Sequence, residues 1–144
     1  FFRRVHDACE GGALLIGVDL VKPVSVLEPA YDDALQVTAA FNRNLLLHLN
    51  RLIGSDFDIA DWRHVAFFNA AASRIEMHLE AVRDATVRWP GGERRFPAGE
   101  RIHTENSCKW RVDDFAALLR DAGFSDTRVW RDEQDWFAVF AAHA

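Results

Sequence analysis

The hydrophobic pattern at the start of the chain predicts a helix followed by a strand. Residues 1–9 carry an apolar stripe at helical spacing, which predicts the end of an amphipathic helix that stops at Gly11-Gly12. Residues 13–18 form a continuous apolar run, which is typical of a strand buried on both faces, as in a parallel sheet. Asp19 and Lys22 follow this strand. An ordinary ion pair is the simpler interpretation, and a functional role at the edge of the sheet is the alternative.

A longer apolar stripe predicts a helix over residues 31–53, which Gly54 ends. Residues 23–29, bounded by two prolines, predict an extended connection with at most a short helical turn at 24–27. Tyr31 lies in the predicted first turn, where it either packs or offers its phenol to a ligand, and the sequence alone favours packing. The stripe consists of Leu35, Thr38, Ala39, Asn42, Leu45, Leu46, Leu49 and Ile53.

The middle of the chain predicts a small antiparallel sheet. Strands are expected at residues 65–69, 74–81, 86–89 and 94–96, separated by short turns. The strand at 74–81 alternates most clearly: its apolar face would lie on the core and its polar face in solvent. The apolar positions are Ile75, Met77 and Leu79, and the polar positions are Glu76, His78 and Glu80.

The end of the chain predicts a helix at residues 112–121 and two closing strands at 124–130 and 136–140. The order of elements is therefore a buried strand, an inserted α+β segment, a helix and a strand pair. An α/β frame interrupted by an insertion fits this order.

Residues 99–110 are unusually rich in hydrogen-bonding side chains. His103, Glu105 and Ser107 alternate, so an extended backbone would direct all three to one side. A carboxylate and a hydroxyl two residues apart suit a ligand with two ring nitrogens or N–H groups. From the residues alone, an ordinary loop that caps the following helix is the preferred interpretation.

Composition excludes several classes of protein. The chain is 49% hydrophobic with a net charge of −5, so disorder and nucleic-acid binding are not expected. Cys9 and Cys108 lack metal-binding spacing and are read as reduced thiols of a cytoplasmic protein. No apolar run is long enough for a membrane span. Because no Met or cap precedes the first helix, the chain is expected to be a fragment that begins inside a helix.

No complete catalytic or metal-binding motif is present. Glu76 and His78 share a strand face, and His64, His103 and Glu105 are near in sequence, but the spacing fixes no ligand set, so no metal is predicted. Nucleophile-elbow and glycine-rich phosphate-loop motifs are missing as well. The residues therefore predict no catalytic group within this chain.

Four stretches in a fixed order carry a resemblance to a known family. They are residues 17–22, residues 30–33 with 38–44, residues 74–79 and residues 99–107. Together they resemble the carboxyl-terminal half of the histidine-specific, S-adenosylmethionine-dependent methyltransferases. The resemblance implies trimethylation of the α-amino group of L-histidine to hercynine, in ergothioneine biosynthesis.

The resemblance also implies a fold and a division of the chain. The family has a Rossmann-like methyltransferase sheet with an inserted α+β substrate domain. Residues 1–28 would end the methyltransferase core, and residues 29–100 would belong to the inserted domain. Residues 101–144 would supply a substrate-binding loop, the last helix and the closing strand pair.

The resemblance assigns substrate-binding roles to five residues. Glu105 and Ser107 would hydrogen-bond the imidazole of the substrate, which fits the acceptor and donor properties of a carboxylate and a hydroxyl. Tyr31 would hold the substrate carboxylate, Met77 would lie on the strand that lines the imidazole pocket, and Thr38 would lie near that site.

S-adenosylmethionine is the implied co-substrate, bound by residues upstream of this chain. The family's glycine-rich loop and first four strands are not found in these 144 residues, so this chain alone is expected to be inactive. Cys108 stands where the family usually has a tyrosine. The unpartnered strand at 13–18 is expected to cause self-association. The alternatives are a methyltransferase acting on another amine and a non-catalytic amino-acid-binding or assembly module.

Overall fold

The computed structural model describes residues 1–144, which form two compact units. One unit combines Phe1–Lys22 with Cys108–Ala144, and the other is Pro23–Ser107. We call them the terminal unit and the central unit. In chain order the elements are α1 (Phe2–Cys9), β1 (Ala13–Asp19), α2 (Val24–Tyr31), α3 (Val37–Ile53), a 3₁₀ turn (Ile59–Asp61), β2 (Trp62–Asn69), β3 (Arg74–Ala81), β4 (Ala85–Trp89), β5 (Gly92–Phe96), β6 (Arg101–Cys108), α4 (Val112–Asp121), β7 (Ser125–Arg131) and β8 (Phe137–His143).

The terminal unit contains a three-stranded antiparallel sheet in the order β1-β8-β7. Phe115 and Leu119 of α4 pack against Phe140 of β8 to form its core. Within these 144 residues β1 is not buried on both faces, and Leu15 is 71% exposed. The strand has one neighbouring strand and only its alternate positions face the core, which agrees with the expectation that it is unpartnered here.

The central unit contains a second antiparallel sheet in the order β2-β3-β6, and a separate hairpin of β4 and β5. Leu27 of α2 packs on Ile75 and Met77, and Leu46 of α3 packs near Leu79 in a second cluster. The apolar face of β3 is therefore buried as predicted, by helices on that side of the sheet.

The predicted helix at 31–53 is two helices, α2 and α3, and the connection predicted before it is helical up to Tyr31. Gln36 adopts a left-handed conformation with φ 59°, which interrupts the helix. The Asp33 carboxylate then accepts hydrogen bonds from the backbone N–H groups of Val37 and Thr38, at 3.0 and 2.9 Å, and so caps α3. Tyr31 consequently ends one helix instead of beginning another.

The stretch predicted as a loop at residues 101–107 is most of strand β6, which lies beside β3. The other predicted strands and the helix at 112–121 are present, with boundaries that differ by up to three residues. None of the helices combines the length and the apolar character that crossing a lipid bilayer requires.

Candidate active site

The centre of the candidate site is a contact between two hydroxyl groups. Tyr31, the last residue of α2, packs against the cluster formed by Leu27, Ile75 and Met77. Its phenol oxygen lies 2.7 Å from Oγ of Ser107 on β6, and either group can donate. Two predicted site residues that are 76 positions apart in sequence are thus in hydrogen-bond contact. Tyr31 therefore packs, as the sequence favoured, and its phenol contacts Ser107; its role towards a ligand stays a prediction.

Glu105 is exposed, and it borders a cleft of about 240 Å³ between α3 and β6. Its carboxylate accepts no hydrogen bond in the structure, which leaves both oxygens available to a ligand. The cleft combines apolar and polar side chains, as small-molecule sites commonly do. The other lining residues are Phe41, Asn42, Asn44, Leu45, His48 and Thr104.

Met77 is buried in the apolar cluster against which Tyr31 packs. Its side chain is only 3% exposed and belongs to the same apolar cluster as Leu27. Its carbonyl oxygen accepts a hydrogen bond from Oγ1 of Thr104, at 2.9 Å, which ties β3 to β6 next to the cleft. Met77 therefore supports the site as packing.

Thr38 is bound to the helix cap. Its backbone N–H donates to Asp33, and its hydroxyl also bonds that carboxylate. These bonds, led by the backbone N–H of Thr38 and followed by that of Val37, lower the pKa of Asp33 to about 2. The hydrogen bonds of Thr38 are thus those of the cap of α3, and its place near the substrate stays a prediction.

The expectation that His103, Glu105 and Ser107 face one side is wrong. Ser107 reaches Tyr31, which packs on the Met77 face of the sheet, whereas the His103 ring stacks on His78, which alternates onto the opposite face. Glu105 and Asn106 are both exposed between the half-buried Thr104 and Ser107, so the alternation changes phase within β6.

Glu76, His78 and His103 form a cluster whose ligand atoms lie within 4.8 Å of one another. Glu76 was expected in solvent but is 7% exposed, because Arg74 and Asn69 both donate to its Oε1. The hydrogen bonds from Arg74, and then that from Asn69, lower the pKa of Glu76 to about 2. Its other oxygen, Oε2, lies 3.2 Å from Nε2 of His78.

The ring geometry of this cluster does not suit a metal ion. His78 is stacked between His103, with centroids 4.5 Å apart and planes at 20°, and Phe67, at 5.4 Å and 12°. Imidazole lone pairs lie in the ring plane, so two nearly parallel stacked rings do not direct them to one point. Burial is the largest influence on the pKa of His78 and lowers it, which keeps the ring neutral between its neighbours. We assign no metal to these residues.

Asp19 forms the ion pair that the sequence favoured, with an additional partner. Nζ of Lys22 lies 2.5 Å from one carboxylate oxygen, and Nζ of the fully buried Lys109 lies 2.6 Å from the other. Burial alone would raise the pKa of Asp19, but the hydrogen bonds from Lys109 and Lys22 outweigh it and lower the pKa. All three residues belong to the terminal unit.

Two polar residues that are linked by hydrogen bonds to the Tyr31 backbone were not identified as site residues from the sequence. Asn42 is a 3% exposed amide on α3, and His64 of β2 contacts both Asn42 and the backbone of Tyr31. The available signal was an asparagine in the middle of the apolar stripe of a helix, where an unpaired amide would be unfavourable.

A family model for histidine-specific, S-adenosylmethionine-dependent methyltransferases matches residues 1–144. The chain belongs to this family. It is 44% identical, over 99% of its length, to the histidine N-alpha-methyltransferase of Mycolicibacterium smegmatis. It is also 44% identical, over 92% of its length, to the histidine N-alpha-methyltransferase of Mycobacterium tuberculosis. A further match is ergothioneine biosynthesis protein 1 of Schizosaccharomyces pombe, with 29% identity over 58% of this chain and 10% of the yeast protein.

This member of the methyltransferase family spans less than half the length of the bacterial relatives that it matches. The aligned regions cover 45% of the Mycolicibacterium protein and 42% of the Mycobacterium tuberculosis protein. The mixed α/β structure with antiparallel sheets is consistent with a carboxyl-terminal part of such an enzyme.

Proposed function

We propose that this chain supplies the imidazole-binding part of the substrate site of an S-adenosylmethionine-dependent histidine Nα-methyltransferase in ergothioneine biosynthesis. The observation that carries the proposal is the 2.7 Å contact between Tyr31 and Ser107. Glu105, two positions before Ser107 on β6, borders a cleft against α3. Family membership and the names of the bacterial relatives support the choice of histidine.

Each of the three polar residues has a chemical task in this proposal. The Glu105 carboxylate accepts a ring N–H, and the Ser107 hydroxyl serves the other ring nitrogen as donor or acceptor. The Tyr31 phenol donates to the substrate carboxylate. A ligand without ring nitrogens would leave Glu105 and Ser107 without these bonds, and this penalty is a source of selectivity for histidine.

The methyl donor is assigned to other parts of the protein. Neither strand-to-helix turn in this chain, at residues 20–23 and 109–111, contains a glycine that would let a backbone approach a nucleotide closely. S-adenosylmethionine supplies an electrophilic methyl group when bound. An α-amino group titrates near pH ~8, so a neutral fraction is available without a strong base in this chain. By binding the imidazole ring of the substrate, these residues orient the substrate's α-amine for the reaction.

We also propose that the terminal unit is the end of a Rossmann-like methyltransferase sheet and that the central unit is an inserted substrate domain. The order of elements supports this, since the central unit interrupts the chain between β1 and α4. Limited proteolysis should release the central unit by cleavage near residues 22 and 108. Cleavage inside either sheet instead would contradict the division.

The test is calorimetric titration of L-histidine into the full-length protein that contains these residues. Glu105→Ala should weaken binding about 10- to 100-fold, because a hydrogen bond to a charged group contributes about 1.5–3 kcal/mol. Asn106→Ala, the exposed neighbour on β6, is the matched control and should leave the affinity unchanged. Histidine methylated on a ring nitrogen should bind poorly to the parent protein and lose little further affinity in Glu105→Ala.

Three results would redirect the proposal. Equal affinity of Glu105→Ala and the parent protein would remove Glu105 from the site. Binding of S-adenosylmethionine without binding of histidine would indicate a different amine substrate. Histidine binding by residues 1–144 alone would indicate a self-sufficient amino-acid-binding module.

A further inference from the structure

The Asn42 side chain is a buried amide that makes two directed hydrogen bonds. It is 3% exposed and lies on the inward face of α3, between apolar positions. Its Nδ2 lies 3.1 Å from the carbonyl oxygen of His78 and 2.9 Å from Nδ1 of His64. Because a backbone carbonyl can only accept, the first bond fixes the orientation of the amide and makes Nδ2 the donor to His64 as well.

The donor role of Asn42 determines the tautomer of His64. Nδ1 must accept, so the neutral ring carries its proton on Nε2. Nε2 lies 2.8 Å from the carbonyl oxygen of Tyr31 and donates to it. One chain of hydrogen bonds therefore runs from Asn42 on α3, through His64 on β2, to the backbone of Tyr31 at the end of α2.

The Tyr31 carbonyl lies at the end of a helix, where backbone carbonyls are commonly bound by groups from outside the helix. His64 holds this main-chain end, and Ser107 contacts the phenol end at 2.7 Å. The backbone at position 31 sets the origin of the tyrosine side chain, so a shift of the carbonyl displaces the phenol oxygen.

We propose that Asn42 and His64 are positioning residues that hold Tyr31 in the orientation needed to bind the substrate carboxylate. This inference rests on the proposed function of Tyr31 in histidine binding. Neither residue touches substrate in the proposal: both act through the Tyr31 backbone. Their effect is therefore on the affinity for histidine and on the alignment of its amine.

The chain offers a matched pair of substitutions at position 64. His64→Gln places an amide nitrogen where Nε2 was and keeps a donor to the Tyr31 carbonyl. His64→Asn is shorter: it keeps a polar group near Asn42 but does not reach Tyr31. Both variants lose the imidazole ring and are similar in polarity, but only His64→Asn also loses the hydrogen bond to the Tyr31 carbonyl. A difference between them therefore measures the effect of that bond.

The experiment measures KM for histidine, kcat and the melting temperature in the full-length protein. His64→Asn should raise KM about 10-fold, since a misplacement of about 1 Å can cost up to about 100-fold. His64→Gln should restore KM to within about 2-fold of the parent, while both variants have similar melting temperatures. Equal KM values for the two variants, or loss of stability without a change in KM, would overturn the proposal.

A second measurement separates this proposal from the proposed function. Tyr31 is the only tyrosine among these 144 residues, and a ¹³C label on tyrosine gives a phenol signal that Tyr31→Phe identifies. In ligand-free protein, His64→Asn should shift this signal and His64→Gln should not. If the signal moves but Tyr31→Phe leaves histidine affinity unchanged, the positioning is correct and the substrate role is wrong. If the signal does not move, the positioning proposal itself is wrong.

Discussion

Strand β1 is apolar yet half exposed, whereas β3 carries a charged or imidazole side chain at every second position and is almost completely buried. Leu15 of β1 is 71% exposed, while Glu76 and Glu80 of β3 are each 7% exposed. The difference follows from their neighbours: β1 lies at the edge of its sheet, and β3 lies between β2 and β6 with helices on its apolar face.

The flanking strands also supply the charges that make burial of β3 possible. Arg63 of β2 and Arg101 of β6 both bind the Glu80 carboxylate from either side. The Glu80 side chain is only 9% exposed between these two partners, whose own side chains reach solvent. A carboxylate in the middle strand is thus bound by residues of both neighbouring strands, whereas Leu15 is largely uncovered within these 144 residues.

The largest predicted difference in stability is between the same leucine-to-alanine substitution in β3 and in β1. Leu79→Ala removes a side chain that is 0% exposed and should lower the free energy of unfolding by about 3 kcal/mol. In the 144-residue chain, Leu15→Ala should change it by less than about 0.5 kcal/mol, because that side chain is 71% exposed there. Urea denaturation of both variants measures the comparison directly. Similar losses would show that β1 is covered in solution.

A smaller effect should appear in the pH dependence of stability. The folded-state pKa of Glu76 is lowered to about 2 from a usual value near 4.5, so its contribution is present at neutral pH. That contribution is lost as the pH falls from about 4.5 towards about 2, when the carboxylate takes up a proton.

Glu76→Gln should therefore lower the free energy of unfolding at pH 7. It should also make that free energy fall less steeply as the pH is lowered from about 4.5 to about 2. Urea midpoints at a series of pH values provide the measurement. Glu133→Gln, in the exposed turn between β7 and β8, is the control and should leave the curve unchanged. A parallel curve for Glu76→Gln would mean that Arg74 and Asn69 do not hold the carboxylate in solution.

The smallest effect on stability should come from a charge placed on the exposed face of β1. Leu15→Lys should change the free energy of unfolding by less than about 0.5 kcal/mol. It should nevertheless reduce self-association of the 144-residue chain, because an inserted charge opposes pairing of exposed strand edges. Light scattering at several concentrations distinguishes the variant from the parent. A parent chain that stays monomeric at high concentration would remove β1 as an association surface.

Elements with strong local periodicity could be predicted from the sequence. The helix at 112–121 and the strand at 74–81 have the predicted boundaries, since their apolar spacing reports the face that is buried. The break between α2 and α3 was not predicted, because the apolar stripe begins at Leu35, inside the break, and so suggested a helix there. There the local capping bonds of Asp33 prevail over periodicity.

The site was less accessible from the residues alone. Periodicity suggested a common side for His103, Glu105 and Ser107, and the phase change within β6 invalidates that inference. The contact of Tyr31 with Ser107 depends on how α2 packs on the sheet, which spacing along the chain does not encode. From the sequence, only the family resemblance predicted that Tyr31 and Ser107 belong to the same site.

The hydrogen bonds that connect Asn42, His64 and the Tyr31 carbonyl have an evolutionary consequence. Asn42 donates a hydrogen bond to His64, and His64 donates one to the Tyr31 carbonyl, so each position restricts the other. A hydrogen-bond acceptor at position 42 would face a ring nitrogen that has no proton to offer, unless residue 64 changed as well. Among natural sequences, these two positions should therefore be exchanged together, as a compatible donor and acceptor or as two apolar residues, and seldom one at a time.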